Sequence, residues 1–249
     1  MSEVIYPDNE NRLKEIMDNM YNTNHDKYGF YPRYTQQKLK ILYIGRESRD
    51  LDSGTNYIEY IYTCYTGKER KISGKSVNRH AFHRRLLKIS YGLINNKEWS
   101  DIPKASEIAE YFGKENGISF AFTNLSKISH CGKASSAISN DFKENVINTK
   151  HYLKKEISLL KPDLIIGMNM MNWQGFSEKD ICATKAYNDN ANIFVTDVDG
   201  TRSLYIDSYH FSAIKKDKEI YDGLKGDYLK GKAFLSMLSD NADLGRNGL

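Results

Sequence analysis

The sequence predicts a layered α/β fold with a mainly parallel sheet. Three observations carry that expectation: short apolar runs closed by glycine or a polar turn, helical spacing of apolar residues between those runs, and the near-continuity of the runs themselves. A strand covered on one face alternates, whereas one covered on both faces reads as unbroken Val, Ile and Leu. The 249 residues include four prolines and no internal repeat or low-complexity stretch, so a single domain over residues 1–249 is expected, with an N-terminal helical segment (about 1–39) and a C-terminal helical tail (about 214–249).

Element by element, Leu13, Ile16, Met17 and Met20 share one face of a helix over Asn9–Tyr21, followed by a polar, aromatic connection from Asn24 to Tyr34. Lys40–Gly45 is the first buried strand. A loop rich in tyrosine (Tyr57, Tyr60, Tyr62, Tyr65) leads to a helix over about Val77–Ser90. Ala105, Ile108, Ala109 and Phe112 fall at helical spacing, and Ile118–Phe122 forms a second strand ending at Thr123–Asn124. Phe142, Val146, Leu153, Ile157 and Leu160 define one long helix over Asp141–Leu160, which Pro162 terminates. Asp163–Gly167 is the third buried strand. Ile193–Thr196 and Ser203–Ile206 flank Asp199-Gly200, a pair that favours a hairpin turn. A last helical region, Lys218–Leu238, is interrupted by Gly223, Gly226 and Gly231.

Composition narrows the function. No run approaches the roughly 18 apolar residues that cross a bilayer, and Met1-Ser2-Glu3 lacks the basic-then-apolar order of a signal peptide. A cytoplasmic, monomeric protein without a membrane partner is expected. Cys64, Cys131 and Cys182 form no CxxC pair, which leaves reduced thiols rather than a disulfide framework or a four-thiolate centre. The net charge is only +4, yet Lys68 to Lys88 holds eight basic residues against Glu69 alone, a local +7 that leaves about −3 for the rest. Such an excess fits a grip on a phosphate backbone, with Lys75, Arg79 and Arg84 as contacts, or else a solvated helix face. His80 and His83 are three apart, but no carboxylate follows at matching spacing, so no metal is expected.

In α/β folds, function gathers at the carboxyl ends of the strands. Those ends carry Gly45, Arg46 and Glu47, then Asn124, then Tyr209, His210 and Ser212. Ile44-Gly45-Arg46-Glu47-Ser48 resembles the strand and Gly-x-Asp-Pro or Gly-x-Asn-Pro turn of the uracil-DNA glycosylase superfamily, with Ser48 in place of proline. Phe122-Thr123-Asn124-Leu125-Ser126-Lys127 and the stretch Tyr152 to Ile166, with its Lys161-Pro162 before a buried strand, are similar to the family 4 type enzymes. Ser208-Tyr209-His210-Phe211-Ser212-Ala213 resembles their Thr-Tyr-His-Pro-Ser or Thr-Tyr-His-Pro-Ala motif, with Phe211 in place of proline. The likeness runs from about Lys40 to Ser212. It implies a three-layer α/β/α sandwich around a central, mainly parallel four-stranded sheet, and a DNA partner. Family 4 enzymes hold an iron-sulfur cluster on four cysteines; this chain has three at unsuitable positions, so no cofactor is carried over.

The resemblance also implies a division of labour. Hydrolysis of an N-glycosidic bond builds positive charge on the sugar and negative charge on the departing base, and so needs a water-positioning acceptor and a donor to the leaving base. Glu47 suits the first task and His210 the second, while Asn124 can both donate to and accept from a flipped base. Tyr57, Tyr60, Tyr62, Tyr65 and Phe82 are candidates to stack on it, Tyr57 first among them. Gly45, Arg46, Tyr209 and Ser212 complete the expected substrate site, and Lys127 and Lys215 extend a phosphate-binding rim. Structural alternatives stand beside each: Glu47 pairing with Arg46, His210 bonding to backbone, Asn124 capping a turn. The resemblance implies uracil or another modified pyrimidine as the target; the two departures from proline point away from strict uracil specificity, to a bulkier modified base as in genome-defence glycosylases acting on phage DNA, or to a DNA-binding protein that kept the scaffold and lost the chemistry. Trp173 and Met168–Met171 are placed near the entrance.

Overall fold

A computed structural model describes residues 4–48, 51–52, 54–129, 140–171, 176–187 and 190–246; Cys131 and Trp173 lie outside them. In chain order the elements are α1 (Asp8–Met20), β1 (Gly29–Phe30), β2 (Ile41–Gly45), α2 (Tyr57–Thr66), β3 (Lys71–Ile72), β4 (Lys75–Ser76), α3 (Ala81–Ile94), α4 (Ala105–Glu110), β5 (Ala121–Asn124), α5 (Asn140–Thr149), α6 (His151–Leu160), β6 (Leu164–Met168), β7 (Ala183–Tyr187), β8 (Asn190–Val198), β9 (Thr201–Ser208) and α7 (Asp217–Arg246).

The α/β class holds, but the sheet is larger and mixed rather than four-stranded. Seven strands run in the order β1-β5-β2-β6-β9-β8-β7, with β3 and β4 forming a separate hairpin. The four central strands, β5, β2, β6 and β9, are mutually parallel. Antiparallel additions at both edges account for the difference: β1 pairs with β5, β8 with β9, and β7 with β8. The Asp199-Gly200 hairpin was legible; its outer partner β7 carries mostly exposed side chains and left no apolar run.

The buried runs of β2 and β6 are covered on both sides. Tyr43 and Phe122 share a face by register, and the Tyr43 hydroxyl meets Ser90 of α3 at 2.9 Å. Thr123 points the other way, to Glu156 of α6 at 2.8 Å. Each fully buried aliphatic side chain of β2, such as Ile41, Leu42 and Ile44, contributes about 1.5–3 kcal/mol of burial free energy.

Three helices differ from expectation. The tyrosine-rich loop is helix α2, whose aromatic and β-branched residues have weak intrinsic propensity; Asn56 caps it by accepting from the Glu59 N–H at 3.2 Å, and burial of Tyr57, Ile58, Ile61 and Tyr65 holds it. The single helix expected over Asp141–Leu160 is two, α5 and α6. The Thr149 hydroxyl at the junction donates back to the Asn145 carbonyl (2.7 Å) and lies within reach of the Leu125 carbonyl (2.9 Å), a side-chain competition that loosens a helix. Conversely, α7 runs unbroken through Gly223, Gly226 and Gly231. Gly231 serves packing there: a Cβ on it would come within 2.6 Å of Leu204.

Candidate functional site

Because the central strands are parallel, their carboxyl ends share one edge of the sheet. From β2 the chain passes first to β5 on one side and then to β6 on the other, making β2 the switch point where α/β folds open a crevice. A cavity of about 590 Å3 lies there. Gly45, Arg46 and Glu47 reach it from β2, Asn124 from β5, His210 and Ser212 from the loop after β9, and Tyr57 from α2. Seven of the eight predicted catalytic and substrate-binding residues thus line one space. The eighth, Tyr209, does not; it is exposed, with the Lys215 ammonium 3.8 Å from its ring centroid.

Asn124 is 2% exposed and oriented by a directional chain of hydrogen bonds. Its Nδ2 donates to the Tyr28 hydroxyl (3.0 Å), Tyr28 donates to Ser48 Oγ (3.1 Å), and Ser48 donates to the Asp26 carboxylate. Such chains polarise and stiffen their members. Asn124 Oδ1 lies over Gly45, where a Cβ would come within 2.3 Å of it; glycine at the end of β2 is what admits the amide. Ser48, the residue at the first proline position, therefore carries a polar link instead of a rigid turn.

His210 has a defined tautomer. The Ser212 backbone N–H donates to Nδ1 at 3.2 Å, so in the neutral ring the proton resides on Nε2, which is then a donor. Phe211, at the second proline position, is fully buried and packs edge-on to Tyr43 at 5.7 Å. Arg85 completes the anchorage: its guanidinium donates to the carbonyls of Phe211 (2.6 Å), Ala213 (2.9 Å) and Lys215 (2.6 Å) and to Asp217 (2.7 Å). The side chain of Glu47 is 8% exposed and stands 3.8 Å from the Arg46 guanidinium, a loose pairing.

Two predicted phosphate contacts are corrected. Lys127 is not on a rim; it is wholly buried, paired with Glu156 at 2.8 Å and donating to the Asn124 carbonyl at 2.5 Å. Burial pulls its ammonium below the usual lysine range, against the opposing pull of Glu156. Its work is to fix the strand end that carries Asn124. Arg84 is committed to Asp217 at 2.6 and 3.1 Å and to the Asn78 carbonyl at 2.9 Å. Burial alone would raise the Asp217 carboxyl, but hydrogen bonds and charge from Arg84 and Arg85 hold it below the ordinary carboxylate range. Of the basic cluster, Arg84 and Arg85 turn inward and Lys88 lies 3.9 Å over Trp99, while Lys68, Lys71, Lys75 and Arg79 stay exposed, as does Lys215.

Among the aromatic candidates, Tyr57, Tyr60 and Phe82 line the cavity. Tyr57 stacks on Phe122 with centroids 5.1 Å apart and planes at 23°, and Phe82 is 5.8 Å from the His210 ring. Sequence reasoning passed over Phe122, the Asp26–Ser48–Tyr28 chain, the Arg85 clamp and Ile214. Ile214 follows His210 by four residues and is fully exposed; an isoleucine directly before Lys215 and Lys216 was the signal.

No helix among the described residues is long and apolar enough to cross a membrane, and no group of three His, Cys, Asp or Glu side chains among them is placed to share a metal ion. No protein-family model and no curated protein matches this chain.

Proposed function

We propose that this protein is a DNA glycosylase of the uracil-DNA glycosylase type, built on that superfamily's three-layer α/β/α scaffold. It flips uracil or another modified pyrimidine out of DNA, modified bases of phage DNA included, and hydrolyses the bond to deoxyribose. The observation that carries the reading is the convergence of Glu47, Asn124 and His210, from three separate strand ends, on one cavity. In the reaction the C1′–N bond breaks and leaves positive charge on the sugar. Glu47 stabilises that charge and accepts a proton from the water that attacks C1′. The electron pair departs with the base, and His210 Nε2–H stabilises the anion. Asn124 holds the base edge, and Tyr57 or Phe82 supplies an aromatic face. Lys75, Arg79 and Lys215 contact phosphates, and Ile214 fills the gap left in the stack, as apolar wedges do. Neither metal nor cofactor takes part in this scheme, and a monomer suffices.

The test is direct: incubate the protein with DNA carrying uracil and a panel of modified pyrimidines, and search for released free base by mass spectrometry. Free base together with alkali-labile sites supports the reading; intact DNA from every substrate refutes it. A second reading, a DNA-binding protein without catalysis, draws on Ser48 and Phe211 at the two proline positions. Such a protein would shift DNA mobility, leave no abasic site, and bind equally well as Glu47→Ala.

A further inference from the structure

Beside Tyr57 and Phe82, the wall formed by α2, the β3–β4 hairpin and the start of α3 presents Ile61, Ile72, Tyr60, Ser73, His80 and His83. The last four are polar, have no part in the chemistry above, and none is a carboxylate, a lysine or an arginine. His83 is the most constrained. It is 5% exposed, and its Nδ1 lies 2.7 Å from the hydroxyl of Tyr65, itself fully buried. That nitrogen is the only hydrogen-bond partner of the Tyr65 hydroxyl among the described residues. A buried hydroxyl proton without an acceptor is costly, so Tyr65 donates and Nδ1 accepts. The ring proton is then on Nε2, which has no protein partner among the described residues although the residue lines the cavity. Burial first, and then the neighbouring His80 ring at 4.7 Å, keep His83 neutral.

The space is also generous. About 590 Å3 is in the range of pockets that enclose drug-sized ligands, roughly 300–1,000 Å3, and exceeds what a single pyrimidine ring fills. We propose that this wall is a second recognition surface, on which His83, locked by Tyr65 as a neutral Nε2–H donor, binds a neutral, oxygen-bearing substituent of the base. No lysine or arginine of this wall lines the cavity to meet a phosphate or carboxylate, and an alkyl group would leave the His83 donor unpaired. The proposal rests on the cavity being a nucleobase site, but not on bond cleavage.

Two measurements test it, neither of which reads excision. Nitrogen-15 and carbon-13 histidine spectra of the full chain report the tautomer: Nε2–H for His83 in the wild type, and a loss of that preference in Tyr65→Phe, which removes one oxygen atom. Fluorescence anisotropy with oligonucleotides carrying cytosine, 5-hydroxymethylcytosine or its glucosylated form reports selectivity. A preference for the substituted bases that falls about tenfold in His83→Phe, the loss of about one good hydrogen bond, and falls in Tyr65→Phe, supports the proposal. An Nδ1–H tautomer, equal wild-type affinity for all three oligonucleotides, or a preference that persists in both variants overturns it. Equal weakening of all three in His83→Phe also overturns it, because the donor would then be reading a carbonyl of the base itself. Tyr65→Phe decides the matter should His83→Phe fail to fold. Because binding is the readout, a protein that recognises the base without cleaving it gives the same answer.

Discussion

Replacing Arg85 by methionine isolates what holds the His210 loop in place. The Arg85 side chain is 4% exposed, and its guanidinium makes hydrogen bonds to three loop carbonyls and to Asp217. Breaking a buried charged pair by removing one partner costs about 3–5 kcal/mol. Here Arg84 still holds Asp217 through two bonds, so no carboxylate is stranded, and about 3 kcal/mol is the expected loss. Most of that cost falls on residues 211–215, whose carbonyls can turn to water only if the loop leaves the core. Displacement of a catalytic group by about 1 Å lowers a rate by roughly 100-fold, so single-turnover excision by Arg85→Met should fall by that factor. Arg85→Lys keeps the charge but not the fork that spans three acceptors, and should recover stability in part and the rate hardly at all. Urea unfolding, hydrogen exchange over residues 209–216 and single-turnover kinetics measure the three effects. A variant that loses less than about 1 kcal/mol, or one destabilised as expected whose loop exchange and rate match the wild type, would refute the clamp.

Three further outcomes follow from the geometry. Ile214→Ala should slow excision from duplex DNA about tenfold or more and leave a single-stranded substrate nearly unaffected, since a wedge offsets the loss of stacking only where there is a stack; equal slowing on both substrates contradicts the wedge. Lys127→Met should destabilise the fold by about 3–5 kcal/mol by stranding the buried Glu156 carboxylate, and Lys127→Met with Glu156→Gln should recover at least half of it in thermal melts; no recovery would mean that the pair is not the source of the loss. Asp217 titrates in the fold below its unfolded value of about 3.9, so its ionised form favours the native state: that stability is present in full above the unfolded value and is lost as pH falls through the folded one. The stability gap between wild type and Asp217→Asn should therefore close in acid; a gap constant down to pH 2 rules out the depressed carboxyl.

Sequence and structure agree most where one residue type has one physical use. The unbroken apolar runs of β2 and β6 and the Asp199-Gly200 hairpin were legible because burial on both faces and a turn leave few alternatives. The convergence of Glu47, Asn124 and His210 was legible because parallel strands bring their carboxyl ends to one edge. Edge strands were harder: β1 is two residues long, and β7 has no buried stripe. Basic residues misled most. Lys127, Arg84 and Arg85 carry the same charge as Lys75 and Arg79, and only packing decides which side chains turn inward onto Glu156, Asp217 and the loop carbonyls and which stay in water.

Cleavage of an N-glycosidic bond by Glu47 and His210 acting together would be read in single-turnover assays on end-labelled oligonucleotides carrying uracil, 5-hydroxymethylcytosine or glucosylated hydroxymethylcytosine, each followed by alkaline cleavage, for the wild type, Glu47→Gln and His210→Ala. The expected result is strand breaks at the modified position with the wild type, a fall of at least about 100-fold in each variant, and retained DNA binding in both. Intact strands with the wild type on every substrate, or breaks that persist undiminished in both variants, would contradict it.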